Sequence, residues 1–335
     1  MELKLNAKRQ NLRKLFADKG DRIIVAIGVS NGMEAKLLYE IVSGLRAGNK
    51  VPDYIGGFVT FVSGYLAAAN YGLPDLGFVL REQIARQTAV IEQATWMSAL
   101  EGSLPAFPIG VDIDTGYGNE PYSVILTCRN MYKAGGQYVQ IEDQAGVNKS
   151  CGHMAGGHGA GKEIISQEEM INIRIKPAVD FARTVDDFMV MARTDAIAVE
   201  GLDRALQRGH AYIESGAEMI FIEAPSNEEQ LRTIAADFKN APGICLANMI
   251  EQSPHTPYKS PLELQKMGFD IGLYCIGGIM SGKRVQEKYY EALAKGDDAL
   301  AVLGGSSQEW FKGFSSFIGR EHCESINTHY HLLMG

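Results

Sequence analysis

The sequence predicts a (β/α)8 barrel, also called a TIM barrel, of the α/β class. Short apolar runs recur along the chain, and a longer amphipathic stretch follows each run. Eight such units lie within 335 residues, about the length of one barrel, and no shift in composition divides them. Continuous apolar strands that alternate with helices predict a parallel sheet buried on both faces, and eight undivided units favour its closure.

Eight segments are predicted as strands, because each is a short apolar run bounded by polar residues or glycine. In chain order they are 23–27, 54–62, 106–111, 137–141, 188–192, 219–222, 244–247 and 271–275. An open doubly wound sheet is the alternative architecture, and it would carry an early phosphate-binding glycine motif. Gly28 and Gly32 lack the G-x-G-x-x-G spacing, which favours the barrel.

Two helices between the strands have clear boundaries in the sequence. Ser166 and Glu169 match a capping box, so we expect a helix over 167–181 that begins directly after Ser166. Apolar residues recur at helical spacing over 202–215, and the glycine at position 216 is typical of a helix C-terminus.

The tail of the chain contains more helix than one barrel unit needs. Its pattern after about residue 282 is helical and rich in aromatic residues, including Trp310 and Phe311. We therefore expect residues 1–281 to form the catalytic barrel, and residues 282–335 to form helices that are swapped onto a partner subunit.

Composition and charge exclude several classes of protein. Apolar residues make up 46% of the chain, which is enough for a large core. The formal net charge is −8, with 32 basic and 40 acidic residues, so nucleic acid and membranes are not expected partners. The five cysteines show no CxxC spacing, and the N-terminus has no apolar signal region, so we expect a cytoplasmic protein.

Polar side chains follow the predicted strands, at the positions that form the mouth of a barrel. They are Ser63 and Gly64, Asp112 and Asp114, Glu142 and Asp143, Arg193 and Asp195, Glu223, and Asn248. Clustered carboxylates repel each other unless a cation lies among them, and oxygen ligands favour Mg²⁺ or Mn²⁺ over Zn²⁺. Asp112 and Asp114 are two residues apart, so both would point to the same side of an extended strand. The competing interpretation is that these acids cap helices and solubilise loops.

The segment 149–162 places Cys151 between Lys149 and His153 in a stretch rich in glycine. A neighbouring cation stabilises a thiolate or tunes a thiol as an acid. The glycines suggest a mobile lid that closes over a substrate. The alternative, a cysteine that acts as a small buried apolar residue, suits Cys128, Cys245 and Cys275 better, because they lie within apolar patterns.

The chain resembles the isocitrate lyase/phosphoenolpyruvate mutase superfamily, and most closely its short methylisocitrate lyase and dimethylmalate lyase members. The matching segments are 63–64 with 72–77, 111–118, 140–144, 149–153, 191–195 with 200–203, 222–224 and 246–248. The Lys-Ser-Cys-Gly-His run at 149–153 is the most specific, since Lys-x-Cys-Gly-His marks the carbon–carbon lyases within this superfamily.

The resemblance implies a set of site residues and an assembly. It implies that Mg²⁺, with Mn²⁺ as the alternative ion, is held by Asp112, Asp114 and Glu142. The implied catalytic residues are Cys151, Lys149, His153 and Arg193. The implied substrate-binding residues are Ser63, Gly64, Asp75, Gly152, Arg193, Asn248 and Glu223. It also implies a homotetramer, a dimer of dimers that exchange their last helix.

The implied activity is a Mg²⁺-dependent retro-aldol cleavage of a 2-hydroxy di- or tricarboxylate. Its products would be a 2-oxo acid, pyruvate or glyoxylate, and a second carboxylic acid. Two alternatives are an oxaloacetate hydrolase and a phosphonopyruvate-type enzyme that breaks a phosphorus–carbon bond. An inactive barrel that serves as a scaffold is the alternative outside enzymes. Differences from the family pattern, such as Ser150 in place of a second basic residue, lie where substrate side groups are recognised.

Overall fold

The computed structural model describes residues 8–146, 149, 151, 162–253, 255–305 and 307–332, and these form a closed barrel. Eight parallel strands pair in chain order, and the last strand pairs with the first. They are β1 (Ile23–Gly28), β2 (Ile55–Val62), β3 (Ile109–Asp112), β4 (Tyr138–Glu142), β5 (Met189–Thr194), β6 (Met219–Ile222), β7 (Ile244–Asn248) and β8 (Ile271–Tyr274). The predicted (β/α)8 barrel is confirmed.

Helices connect the strands and continue beyond the barrel. They are α1 (Leu12–Asp18), α2 (Gly32–Ala47), α3 (Gly64–Asn70), α4 (Arg81–Glu101), α5 (Pro121–Lys133), α6 (Gln167–Glu169), α7 (Lys176–Ala182), α8 (Ile197–Glu200), α9 (Leu202–Glu214), α10 (Glu228–Phe238), α11 (Pro261–Met267), α12 (Gly277–Lys295), α13 (Gln308–Phe317) and α14 (Arg320–Leu332). A π-helix, Met170–Ile175, joins α6 to α7, and a 3₁₀ helix, Ala299–Leu303, follows α12.

The helix predicted over 167–181 is present but is not α-helical throughout. Its capping box is confirmed, because the Glu169 amide donates to Ser166 Oγ and the Ser166 amide donates to the Glu169 carboxylate. The π-helical turns in its middle were not predicted. They carry Arg174, whose buried guanidinium donates to the backbone carbonyls of Glu142 and Gln144 at the end of β4.

Most strand boundaries lie within one residue of the prediction, and those of β3 and β5 differ by more, for physical reasons. β3 begins after Pro108, which has no amide hydrogen to donate to a neighbouring strand, rather than at residue 106. β5 extends to Thr194, because Arg193 and Thr194 pair with the last residues of β6. Polar side chains therefore lie on the final residues of the strand itself.

Apolar side chains fill the lower part of the barrel interior. Phe61, Tyr138, Met191 and Phe221 belong to one buried cluster, in which the rings of Phe61 and Tyr138 stack 6.1 Å apart. A second layer of apolar residues lies between the strands and the surrounding helices. A ligand can therefore reach the barrel axis from the end at which the strands terminate.

Gly28, the last residue of β1, allows two strands to approach closely. A Cβ atom added there would lie 1.8 Å from the backbone carbonyl oxygen of Cys275. We expect Gly28→Ala to lower the free energy of unfolding by about 3 kcal/mol or more, since the backbone of the barrel would have to move. Urea unfolding measures the change.

Gly44 provides the matched control for Gly28. It is an exposed glycine within helix α2, and a Cβ atom added there would have no neighbour within 4 Å. Gly44→Ala should raise the free energy of unfolding by about 0.5–1 kcal/mol, because alanine loses less conformational freedom in a helix. Equal stability of the two variants would contradict the close approach at Gly28.

The C-terminal helices expose much apolar surface. Neither α12 nor α13 has a buried residue, and Trp310 and Phe311 are 65% and 70% exposed. Helix α13 lies near α2, since Lys36 Nζ is 6.0 Å from the centre of the Phe317 ring. The domain boundary at residue 281 and the exchange of these helices between subunits stay predictions. Within the described ranges, no helix has the length and apolar character to cross a membrane.

Candidate active site

The strand ends and the loops that follow them bring seven of the predicted site residues to one cavity at the mouth of the barrel, whereas Gly64, Asp114, Glu142 and Lys149 are not part of its lining. This is expected for parallel strands, because their carboxyl ends all lie at the same edge. Among the residues that line the cavity are Ser63, Asp75, Asp112, Cys151, Arg193, Glu223 and Asn248. Each is predicted from the sequence as a site residue. Cys151 lies in the wall of this cavity and is buried, with 7% of its surface exposed.

Asp112 and Asp114 lie together, but not for the reason that the sequence suggests. β3 ends at Asp112, and Asp114 has a left-handed backbone with φ of 49°, so strand alternation does not place it. The Asp114 amide donates to Asp112 Oδ1 at 3.0 Å, and the Gly64 amide donates to Asp112 Oδ2 at 3.2 Å. A Cβ atom added to Gly64 would lie 3.1 Å from a carboxylate oxygen of each aspartate. Glycine at position 64 therefore leaves space beside both acids.

Lys149 forms ion pairs with two of these acids. Its Nζ lies 2.7 Å from Asp75 Oδ1 and 2.5 Å from Asp114 Oδ1, and all three side chains are largely buried. Burial raises the pKa of Asp114 to about 6, against the opposing effect of Lys149. Burial would lower the pKa of Lys149, but the surrounding carboxylates outweigh it and raise that pKa well above its ordinary value. The ion pairs with Asp75 and Asp114 therefore favour the protonated form of Lys149.

Arg193 lies among three buried carboxylates. Its Nε and Nη2 donate to the two carboxylate oxygens of Asp195, at 2.9 and 3.0 Å. Its Nη1 lies 3.1 Å from Glu142 Oε2, and its Nε lies 3.9 Å from Glu223 Oε2. The guanidinium also lies 5.4 Å from the centre of the Phe221 ring. These contacts fix the orientation of the guanidinium in the cavity wall.

Asp195 and Asp143 support Arg193 from behind the cavity. Lys162 Nζ lies 2.7 Å from Asp195 Oδ1. Burial would raise the pKa of Asp195, but the Arg193 guanidinium and the Lys162 ammonium outweigh burial and hold the pKa at about 2. Asp143 accepts from the Asp195 amide at 2.9 Å and from the Tyr212 hydroxyl at 2.9 Å. The sequence shows both acids after strands, but it does not show that Asp195 pairs with Arg193 and Lys162 or that Asp143 pairs with Tyr212.

The cavity lining also contains residues that were not predicted from the sequence as site residues, and Cys275 and Gln140 are two of them. Cys275, interpreted from its apolar surroundings as a core residue, lies directly after β8 and faces the cavity. Gln140 lies on β4 two residues before Glu142 and also faces it. A polar residue two positions before a predicted ligand on a strand shares its face, and that spacing was the available signal for Gln140. The predicted residues Gly152 and His153 lie outside the described residues.

The acids at the mouth suit a hard divalent cation in their donor chemistry. Glu142 is buried, its Oε2 lies in the ion pair with Arg193, and its Oε1 has no hydrogen-bond partner among the described residues. Burial raises the pKa of Glu142 well above the ordinary value. In the part of the chain that is described, no three acidic, histidine or cysteine side chains gather closely enough to enclose an ion. Mg²⁺ usually keeps several of its waters, so it does not require such an enclosure. The predicted ligands Asp112, Asp114 and Glu142 thus fit Mg²⁺ by their donor atoms.

The closed barrel, with a thiol, a guanidinium and several carboxylates around one cavity at the strand ends, defines a (β/α)8-barrel enzyme. The sequence model of the phosphoenolpyruvate phosphomutase family matches residues 54–278. The chain therefore belongs to this family, part of the PEP mutase/isocitrate lyase superfamily, and the predicted resemblance is confirmed.

Named relatives of this chain are carbon–carbon lyases. The 2,3-dimethylmalate lyase of Eubacterium barkeri is 34% identical over 321 residues, which cover 95% of this chain and 96% of that protein. The 2-methylisocitrate lyase of Escherichia coli strain K12 is 38% identical over 240 residues, which cover 72% of this chain and 74% of that protein. A crystal structure of 2,3-dimethylmalate lyase matches with a TM-score of 0.75 and 26% identity, covering 95% of this chain and 93% of that chain.

Proposed function

We propose that this protein is a carbon–carbon lyase that cleaves a 2-hydroxy di- or tricarboxylate by a retro-aldol reaction. The position of Cys151 carries the proposal, because the thiol lines the same cavity as Arg193 and Asp112. Lyases among the relatives support the reaction class. The products would be a 2-oxo acid, pyruvate or glyoxylate, and a second carboxylic acid.

Substrate binding would use the cavity wall. Arg193 would bind a carboxylate of the substrate, with the amide of Asn248 and the hydroxyl of Ser63 as further contacts. Glu223 lines the same wall. Lys149, held protonated by Asp75 and Asp114, would place a positive charge beside the reacting end of the substrate. The proposed roles of Gly64, Gly152 and His153 come from the family resemblance.

In the reaction, a base, for which Tyr65 in the cavity lining is a candidate, takes the proton of the substrate hydroxyl and returns it to the Cys151 thiolate at the end of the cycle. The carbon that carried the hydroxyl becomes the carbonyl carbon of the 2-oxo acid. The bond between C2 and C3 breaks, and its electron pair passes to C3, which forms the enediolate of the departing acid. Cys151 then donates its thiol proton to that carbon, and the second carboxylic acid is complete. A thiol suits this step because its ordinary pKa lies near neutrality. Arg193 and Lys149 would stabilise the negative charge that develops.

A divalent cation is part of this proposal. Asp112, Asp114 and Glu142 would hold Mg²⁺, or Mn²⁺ as the alternative ion. When bound, the ion would polarise the hydroxyl and stabilise the enediolate charge. Glu142 Oε1, which is buried and has no hydrogen-bond partner among the described residues, supports this assignment.

Product analysis with and without metal tests the proposed function. The purified protein is incubated with 2,3-dimethylmalate, 2-methylisocitrate, isocitrate and oxaloacetate. We expect release of pyruvate or glyoxylate from a hydroxy acid, loss of that activity after exhaustive chelation, and its return with Mg²⁺. Oxalate release from oxaloacetate alone would indicate a hydrolase instead. No turnover combined with no binding of oxalate would indicate a scaffold, and activity that survives chelation would contradict the metal site.

The proposal extends to the assembly and the location of the protein. Apolar surface on α12 and α13 supports a homotetramer in which residues 282–335 pack on a partner subunit. We also propose that the protein is cytoplasmic and that its main binding partner is a small carboxylate.

A further inference from the structure

Gln140 carries a buried hydrogen-bond acceptor that faces the candidate cavity. The side chain is 2% exposed, and its Oε1 has no hydrogen-bond partner among the described residues. Gln140 lies on β4 two residues before Glu142, so both side chains point into the barrel. It lines the same cavity as Cys151 and Arg193.

Donor groups of Ser63, Tyr65 and Asn248 line the cavity with Gln140, but among the described residues none of them donates to its Oε1. Phe61, Phe221 and Leu273 line the cavity with it and are apolar. The two cations near the cavity are paired with carboxylates, Arg193 with Asp195 and Lys149 with Asp75. A buried acceptor without a donor is unfavourable, so a ligand that supplies one gains affinity. Ionised carboxylates only accept hydrogen bonds, whereas a hydroxyl group donates one.

We propose that Gln140 accepts a hydrogen bond from a hydroxyl group of the substrate and so selects hydroxy acids over acids that lack the hydroxyl. This inference rests on the proposed function only in taking a carboxylic acid as the ligand, and it does not require that a bond is cleaved. A site built to pair with a hydroxyl discriminates strongly against an analogue without it, because the buried acceptor is then left unpaired.

The test compares two acids that differ only in the hydroxyl group. Malate has a 2-hydroxyl, and succinate has the same carbon chain without it. Calorimetry in the presence of Mg²⁺ gives the dissociation constants of both acids for the wild type and for Gln140→Met. We expect the wild type to bind malate about tenfold more tightly than succinate, and Gln140→Met to reduce this ratio to about one or two.

Gln137→Met is the matched control. Gln137 is also a buried glutamine, and within the described part of the chain its Oε1 has no hydrogen-bond partner. It precedes β4, however, and its Nε2 donates to Gln10 and Asp187 at the opposite end of the barrel. This variant should keep the wild-type ratio of malate to succinate affinity. Thermal melting confirms that both variants are folded.

The other outcomes overturn the inference. If Gln140→Met leaves the ratio of malate to succinate affinity unchanged, another group discriminates between the two acids. If the variant loses affinity for both acids equally, Gln140 contacts a carboxylate that they share. Equal binding of the two acids by the wild type would exclude selection for the hydroxyl but leave the lyase reaction intact. Binding of neither acid would contradict the inference, while turnover of the larger acids in the product analysis decides the proposed function separately.

Discussion

Replacing Cys151 by alanine is expected to lower kcat by about 10²–10⁴-fold, the usual effect of removing one correctly placed general acid. The thiol lines the cavity together with Arg193 and Asn248, and it is the proposed donor of the proton to carbon. Alanine removes that proton without placing a larger side chain in the cavity wall. Steady-state release of the 2-oxo acid from the substrate identified in the product analysis measures the change.

A second cysteine variant separates catalysis from packing. Cys128 is fully buried on α5 and belongs to the apolar layer outside the barrel. Cys128→Ala should lower the melting temperature but leave kcat close to the wild-type value. If Cys151→Ala stays within tenfold of the wild type while its fold is intact, the thiol has no place in the mechanism.

Replacing Arg193 by methionine is expected to lower the free energy of unfolding by about 3–5 kcal/mol and to remove lyase activity. The guanidinium contacts Asp195, Glu142 and Glu223, and all three carboxylates are buried. Without it, Glu142 and Glu223 lose the cation beside them in a region of low dielectric constant, whereas Asp195 keeps its ion pair with Lys162. Urea unfolding at neutral pH, with the activity measured on the folded fraction, gives both effects.

Two further variants test the geometry at Arg193. Arg193→Lys keeps the positive charge but cannot donate to both oxygens of Asp195, so we expect a smaller loss of stability and a raised KM. Arg320→Met replaces an exposed arginine on α14 that pairs with Glu324, and it should leave the unfolding transition unchanged. If Arg193→Met and the wild type unfold at the same midpoint urea concentration, the buried ion pairs contribute nothing to stability.

Much of the barrel could be predicted because its strands follow a local rule. Each strand is buried on both faces, so the apolar run alone marks it, and all eight predicted segments overlap observed strands. The errors lie at boundaries and in one helix. Pro108 shortened β3, and the π-helical turns at Met170–Ile175 leave no distinctive pattern in an otherwise helical stretch.

The candidate site could be predicted in part for the same reason. In a barrel, a residue that follows a strand lies at the mouth, so Asp112, Arg193 and Asn248 could be placed without coordinates. The position of a residue after a strand does not show in which direction its side chain points. Asp195 follows β5 as the other polar residues follow their strands, yet it pairs with Arg193 and Lys162 inside the wall.

The order of apolar runs, glycines and polar strand ends was therefore enough to identify the fold, the edge of the sheet that carries the site, and the residues around it. Packing in three dimensions settled which charges pair. Lys149 meets Asp75 and Asp114, although 74 residues separate it from Asp75. Secondary structure depends on neighbours along the chain, whereas an ion pair depends on distances of a few ångströms between side chains from different strands and loops.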